Sequence, residues 1–264
     1  MKCYLINLDR SKERLSRMQK QFDSIGIDFT RVPAVDGKLL STEQLTAVID
    51  PIRRWEIPMP ASEIGCFLSH KKCIELIANG EDEYAAIFED DVTLSANCSR
   101  FLNDTNWIPT GADIIKIDTN NTLVVLENFQ TIDETGYELA RLCTSHLCCG
   151  GYIVSRKAAA LILSCMEKIS VPVDNLIYDP QYELFHQLTI YQFVPALCMQ
   201  IDADSLIEED RKKLRKEYKK RLSLPVLIWR ELTRPYKRNA HIIGPVNIWI
   251  RITTGKRWLK VPFK

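Results

Sequence analysis

The chain has 264 residues, 46% of them apolar, with 35 basic and 34 acidic side chains. This supports one large folded domain, alone or with a tail, and excludes a globally disordered chain. The near-neutral sum hides an asymmetry: residues 211–264 hold 17 Lys or Arg against 2 Asp or Glu, while residues 1–210 hold 18 against 32. An acidic body over 1–208 and a basic segment over 209–264 are therefore expected.

Nine cysteines occur without a paired CxxC framework, so they read as reduced, mostly buried small hydrophobes and not as a structural zinc site. Met1-Lys2 leads into an apolar stretch of about six residues, too short for a secretory leader. No apolar run reaches the roughly 18 residues of a membrane span. The expectation is a cytoplasmic protein.

Cys3–Leu8 reads as a buried strand of a parallel sheet. Leu15, Met18, Phe22 and Ile25 then recur at helical spacing before Gly26, a stop signal. A second strand, Phe29–Val32, completes a strand–helix–strand unit. Ser41 with Gln44 forms a capping-box pattern for a short helix. A proline-punctuated loop, 51–60, precedes a longer helix capped at Ser62 and ended at Gly80. Tyr84–Phe88 and Asp113–Ile117 are further buried strands, ending at Glu89 and Asp118. Then come an antiparallel pair, 123–126 and 137–142, and a glycine-containing strand over 146–154. Ser155 opens a helix to about Met166, Pro172-Val173-Asp174 is a loop, and Ile190–Val194 is a late strand. The order predicts an α/β sandwich with one mixed, mainly parallel central sheet.

Glu89-Asp90-Asp91 is the strongest chemical signal. Three successive carboxylates past a buried strand repel one another unless a cation compensates them. Open α/β sheets bind ligands at the carboxyl ends of their strands, where this triplet falls. Oxygen ligands suit Mg²⁺ or Mn²⁺ bridging to phosphates. The alternative is a solvated acidic turn.

Several ordered motifs over about residues 2–205 resemble glycosyltransferase family 25, the bacterial lipooligosaccharide glycosyltransferases and collagen galactosyltransferases. They are Ile6-Asn7-Leu8-Asp9-Arg10 with Glu13-Arg14, Val32-Pro33-Ala34-Val35-Asp36-Gly37, Glu63–His70, and Phe88–Val92. Gly150–Ser155 and Pro172-Val173-Asp174 are weaker matches. The resemblance implies a GT-A-like nucleotide-sugar fold, a UDP-sugar donor (galactose, or glucose) and inversion at the anomeric carbon. The acceptor it implies is a lipooligosaccharide or lipopolysaccharide core.

Asp91 and then Glu89 are the expected metal ligands, neutralising a leaving diphosphate. A carboxylate across the cleft must take the acceptor's proton; Asp174 is the leading candidate and Asp118 the second. Asn7, Asp9 and Arg14 sit where the first strand meets the crevice, and Arg14 suits phosphate. Asp36 suits ribose hydroxyls, or is a simple Asp-Gly turn. The resemblance adds Ala34, Asp90, Glu63 and His70 to the donor or acceptor site. By residue type alone, Glu63 matches a helix dipole and His70 a core histidine. His186 and Gln200 come late enough to complete a metal or diphosphate site.

The basic segment, with Arg211–Lys216, Lys219–Arg221, Leu222–Trp229, Trp249 and Trp258, has the composition of a surface lying on an anionic membrane. That suits a glycolipid acceptor and a peripheral position on the inner face of the cytoplasmic membrane. A basic face packed on the acidic body is the alternative. No nucleic-acid module accompanies the charge. Two other functions compete, a metal-dependent nucleotidyltransferase and an inactive membrane-docking protein.

Overall fold

The computed structural model describes residues 1–52, 58–201, 210–212, 214, 216–218 and 255–264. The first strand β1 (Lys2–Asn7), helix α1 (Lys12–Ile25) and strand β2 (Thr30–Pro33) follow the sequence reading, and Gly26 caps α1 in the left-handed region at φ 66°. A 3₁₀ turn (Gly37–Leu39) leads to α2 (Thr42–Val48), whose Ser41–Gln44 capping box is complete in both directions. Helix α3 (Ala61–Ala78) starts two residues earlier than expected. Pro60 is its N-cap and Ser62 lies inside the first turn, because proline already has a φ suited to a helix start.

Strand β3 (Tyr84–Glu89) carries the first acid of the triplet as its last residue, and β4 (Val92–Leu94) follows the turn at Asp90-Asp91. Then come α4 (Cys98–Asn103), β5 (Ile114–Lys116), β6 (Asp118–Thr119), the antiparallel β7 (Leu123–Thr131) and β8 (Glu138–Leu142), and β9 (Gly151–Ser155). Ser155 caps α5 (Arg156–Ser164) as expected. Pro172-Val173-Asp174 is not a loop: Asp174 sits in the first turn of α6 (Val173–Tyr178), where a carboxylate is favoured by the exposed amides. Helix α7 (Glu183–Gln187), β10 (Ile190–Val194), β11 (Cys198–Gln200) and β12 (Arg257–Lys260) complete the described elements.

The α/β expectation holds. Nine strands form one mixed sheet in the order β12-β7-β8-β10-β5-β9-β3-β1-β2, and β4-β11-β6 form a smaller sheet. Strands β1, β2, β3, β5, β7 and β10 run one way, with β8, β9 and β12 against them. Alternate residues of β1 and β3 feed two apolar layers. Tyr4, Ile6, Ala85 and Ile87 face a cluster with Ile64, Phe67 and Ile74 of α3, while Leu5, Ala86 and Phe88 face Met18 and Phe22 of α1. Burial on both faces explains why these strands read as continuous apolar runs.

The C-terminal residues are part of this body. β12 pairs antiparallel with β7, the Val261 carbonyl accepts from Thr119 Oγ1 at 2.9 Å, and the Pro262 carbonyl accepts from the Ala196 amide at 2.7 Å. A boundary at 208/209 therefore does not isolate 255–264, whose open amides and carbonyls complete the sheet edge. The Leu222–Trp229 stretch and Trp249 lie outside the described residues, as do the loop residues 53–57. Among the described residues no helix is long and apolar enough to cross a membrane.

The turn after β2 is pinned against α3 by two glycines. A Cβ on Gly37 would collide with the Ala61 carbonyl, and one on Gly65 would meet the Val35 carbonyl and lie 2.7 Å from the Gly37 amide nitrogen. Gly65→Ala is therefore expected to destabilise the fold by about 1–3 kcal/mol, read as a drop in melting temperature of roughly 2–12 °C. An unchanged melting temperature would show that the turn can move away from α3.

Candidate active site

A cleft opens where β1 and β3 end side by side in parallel register, with Ile6 opposite Glu89. Its walls include Asn7, Arg10, Arg14, Asp36, Cys66 and the whole Glu89-Asp90-Asp91 triplet, with Ala34, Lys38 and Gln200 at its edge. The ligand position at the carboxyl ends of parallel strands is thus realised.

The three acids are held in three different ways. Asp90 accepts from Asn7 Nδ2 at 2.6 Å and from Arg14 Nη1 at 3.1 Å, while Arg17 donates to its carbonyl at 2.8 Å. Asn7 in turn accepts from Arg31 Nε at 2.9 Å and donates to the Ser11 carbonyl at 3.1 Å. Asn7 and Asp90 therefore spend their polar atoms on fixing the turn.

Glu89 Oε1 lies 3.0 Å from His70 Nε2 and 3.7 Å from Cys66 Sγ, and His70 Nδ1 lies 3.0 Å from the Tyr152 hydroxyl. Burial acts to raise the Glu89 carboxyl, but the hydrogen bond and charge from His70 outweigh it and leave the group below its ordinary value. His70 is fully buried behind the cleft. It orients Glu89 and is not itself part of the cleft wall.

Asp91 is the least compensated. Gln200 Nε2 donates to Oδ2 at 3.3 Å and Arg14 lies 3.7 Å away, whereas Oδ1 is buried with no hydrogen-bond partner among the described residues. Burial first, and then the charge of Glu89, pushes the carboxyl up to about 7. A buried carboxylate oxygen without a donor, beside a second carboxylate, fits a hard divalent cation. Asp91 is the ligand these residues offer most directly, with Glu89 beside it.

Other candidates fall elsewhere. Asp9 is exposed and bonds Arg31 Nη2 at 2.6 Å, because the chain has already left the strand. Asp36 caps the 3₁₀ turn through the Lys38 amide and pairs with Arg10. It is thus a turn residue that also lines the cleft. Glu63 is buried in the first turn of α3, and Arg211 Nε donates to it at 2.7 Å. Ser62 donates to Asp210 at 2.9 Å, and Lys38 lies 3.1 Å from the same carboxylate. His186 bonds the Pro180 carbonyl at the surface and does not reach the cleft. Gln200 does reach it.

Asp118 is fully buried and 2.6 Å from the equally buried Lys116, with Oδ2 accepting from the Gly150 amide at 2.9 Å. It has no path to an acceptor and is a structural counter-ion. Lys116 also donates to the Cys148 carbonyl at 2.5 Å. Burial pushes this ammonium down, but Asp118 outweighs it and holds the pKa above the ordinary value. Asp174 is half-buried, accepting from the Cys148 amide at 3.3 Å and the Asn175 amide at 2.9 Å. Its charge helps keep the Cys66 thiol protonated, after burial and Glu89. Asp174 thus stands near the cleft wall that carries Cys66.

Arg10, Lys38, Cys66 and Tyr152 were not among the sequence candidates. Cys66 carried a usable signal, one helical turn before His70 on the same face. Tyr152 carried none, because its partner is set by sheet order.

Two outcomes follow from the charges. Asp118→Asn strands a buried ammonium, with an expected cost of about 3–5 kcal/mol, and Lys116→Met in the same chain restores much of it. Equal stability of single and double variants would contradict the pairing. At Asp91, protons and cations compete for one carboxylate, so protonation increasingly opposes cation binding as the pH falls below about 7. Calorimetric Mn²⁺ affinity is expected to weaken about tenfold per pH unit below that value and to level off above about pH 8. Asp91→Asn should flatten the slope, and a pH-independent wild-type affinity would contradict the assignment.

The sequence model of glycosyltransferase family 25 (LPS biosynthesis protein) matches residues 1–177. A lipooligosaccharide biosynthesis protein of Haemophilus influenzae, lic2B, is 27% identical over 85% of this chain and 88% of its own length. The lacto-N-neotetraose biosynthesis glycosyltransferase LgtB of Neisseria gonorrhoeae is 27% identical over 93% and 98%. A glycosyltransferase 25 family member of Drosophila melanogaster is 30% identical over 67% of this chain, which spans only 30% of that longer protein. A match over two thirds of the chain, including every strand that frames the cleft wall from β1 to β3, shows that this protein belongs to glycosyltransferase family 25.

Proposed function

We propose that the protein transfers galactose, or glucose, from a UDP-sugar to a lipooligosaccharide or lipopolysaccharide core with inversion at the anomeric carbon. The observation that carries the reading is the buried Asp91 Oδ1, without a hydrogen-bond partner among the described residues, in a cleft built by the carboxyl ends of β1 and β3. Membership of family 25 and the lipooligosaccharide biosynthesis name of the Haemophilus influenzae relative lic2B support it.

Mn²⁺ or Mg²⁺ bound at this position would supply Lewis-acid neutralisation of the leaving diphosphate. Asp91, with Glu89 beside it, would hold that ion. Gln200 orients Asp91, and His70 orients Glu89. Arg10, Arg14 and Lys38 bring positive charge to the same cleft, where diphosphate oxygens need donors.

In the transfer, the acceptor hydroxyl oxygen bonds to the anomeric carbon as the bond to the diphosphate oxygen breaks. The hydroxyl proton passes to a carboxylate, which we assign to Asp174. Its half-exposed position near Cys66 supports this over the sealed Asp118. A peripheral membrane position through the basic segment belongs to the same reading, since a glycolipid acceptor is presented at such a surface.

UDP release from a panel of UDP-sugars with lipooligosaccharide cores, with and without Mn²⁺, tests the reaction. Asp91→Asn is expected to lose Mn²⁺-dependent UDP binding and turnover together. Asp174→Asn is expected to lower kcat by about 10²–10⁴ with UDP affinity kept. Pyrophosphate release from a nucleoside triphosphate in place of UDP release would sink the transferase reading.

A further inference from the structure

We propose that Cys66, His70 and Glu89 form a second cation site, taking a borderline-soft divalent ion such as Zn²⁺ through thiolate, imidazole and carboxylate. It shares Glu89 with the hard oxygen position at Asp91 but takes its other two donors from α3. One donor atom from each of the three residues lies within 4.8 Å of the other two. His70 Nε2 and Cys66 Sγ stand 3.0 and 3.7 Å from Glu89 Oε1. Ligand edges around tetrahedral zinc, with bonds of about 2.0–2.3 Å, are roughly 3.3–3.8 Å, so the ion needs only small side-chain adjustments.

The supporting structure has the features of a metal site. Cys66 and His70 are one turn apart on α3, a single rigid element, and Glu89 ends β3 opposite them. The imidazole is fixed from behind by the Tyr152 hydroxyl at its Nδ1, leaving Nε2 toward Glu89. Such an outer partner is the usual means of orienting a ligating histidine. Cys66 and Glu89 line the cleft, which provides an entry path and an open coordination position.

The surroundings are also anionic. Burial first, and then Glu89, Asp174 and Glu63, push the Cys66 thiol up and keep it protonated until a cation arrives, with Arg211 opposing them. An entering Zn²⁺ replaces the thiol proton, which leaves to solvent as the Zn–S bond forms. It also engages the carboxylate that His70 otherwise holds, so zinc is expected to antagonise a hard ion bound next door at Asp91.

The test uses the full-length chain, freed of metal and kept reduced, titrated with Co²⁺ as a coloured substitute for Zn²⁺. The expected result is an intense near-ultraviolet thiolate-to-cobalt band that saturates at one equivalent and is displaced by Zn²⁺. The band should fall more than tenfold in Cys66→Ser and in His70→Ala, and persist in Asp91→Asn. Absence of the band in the wild type overturns the proposal. So does its survival in Cys66→Ser, since one of the eight other cysteines would then be the ligand. X-ray absorption of the wild-type zinc complex gives a check that needs no variant. One sulfur at about 2.3 Å with nitrogen and oxygen ligands is expected, and a shell without sulfur refutes the site. Neither measurement involves a UDP-sugar, so failure of the transferase reading leaves both interpretable.

Discussion

Three adjacent carboxylates at the end of a buried strand are the constraint around which this molecule is arranged. Left together in a low-dielectric cleft they would repel one another strongly. The protein resolves the conflict one residue at a time. Asp90 is hydrogen-bonded by Asn7 and Arg14, and Glu89 by His70 from the opposite layer. Of the three, Asp91 keeps a buried oxygen without a partner among the described residues. The first two acids are thereby fixed in place, and the third is left able to bind something positive. The same division separates their titration, with Glu89 below its ordinary value and Asp91 well above.

The partners come from opposite faces of the sheet, which is why the sheet's order matters more than its size. Parallel pairing of β1 with β3 brings Asn7 to Asp90 across 83 residues of sequence. Antiparallel pairing of β3 with β9 brings Tyr152 beneath His70. Farther along, the buried Lys116–Asp118 pair anchors the Cys148–Gly150 turn that leads into β9. Such a pair contributes little net stability against an apolar replacement. Its value lies in fixing a backbone whose Cys148 amide meets Asp174 and whose Cys148 thiol donates to Gln200 at 3.3 Å. Through Gln200 the contact chain returns to Asp91.

What the sequence revealed was local. Continuous apolar runs marked β1 and β3, the Ser41–Gln44 box marked α2, and the acid triplet marked the cleft, because each signal lies within a few residues of its consequence. Asp118 was misread for the complementary reason. A strand-end carboxylate looks the same whether it faces solvent or a lysine two positions earlier, and the buried ammonium is decided by packing. Asp9 was misplaced because β1 ends at Asn7, after which the chain turns to Arg31. His70 lies buried behind the cleft, and its partners, Glu89 and Tyr152, depend on which strands lie side by side.

The charge asymmetry of the chain has a structural counterpart in the residues that are described. Glu63 is buried in the first turn of α3, where exposed amides favour a carboxylate but do not by themselves offset its desolvation. Arg211 supplies the missing charge, and Asp210 ties Ser62 and Lys38 to the same segment. At the far end, Lys256 pairs with Glu127 at 3.1 Å and β12 extends the sheet. The basic segment is thus anchored on the acidic body at both described ends, at one of them beside the cleft. Part of its charge is consumed in building the body around the cleft. The Arg211–Glu63 contact therefore ties the described start of that segment to the helix whose first turn borders the cleft.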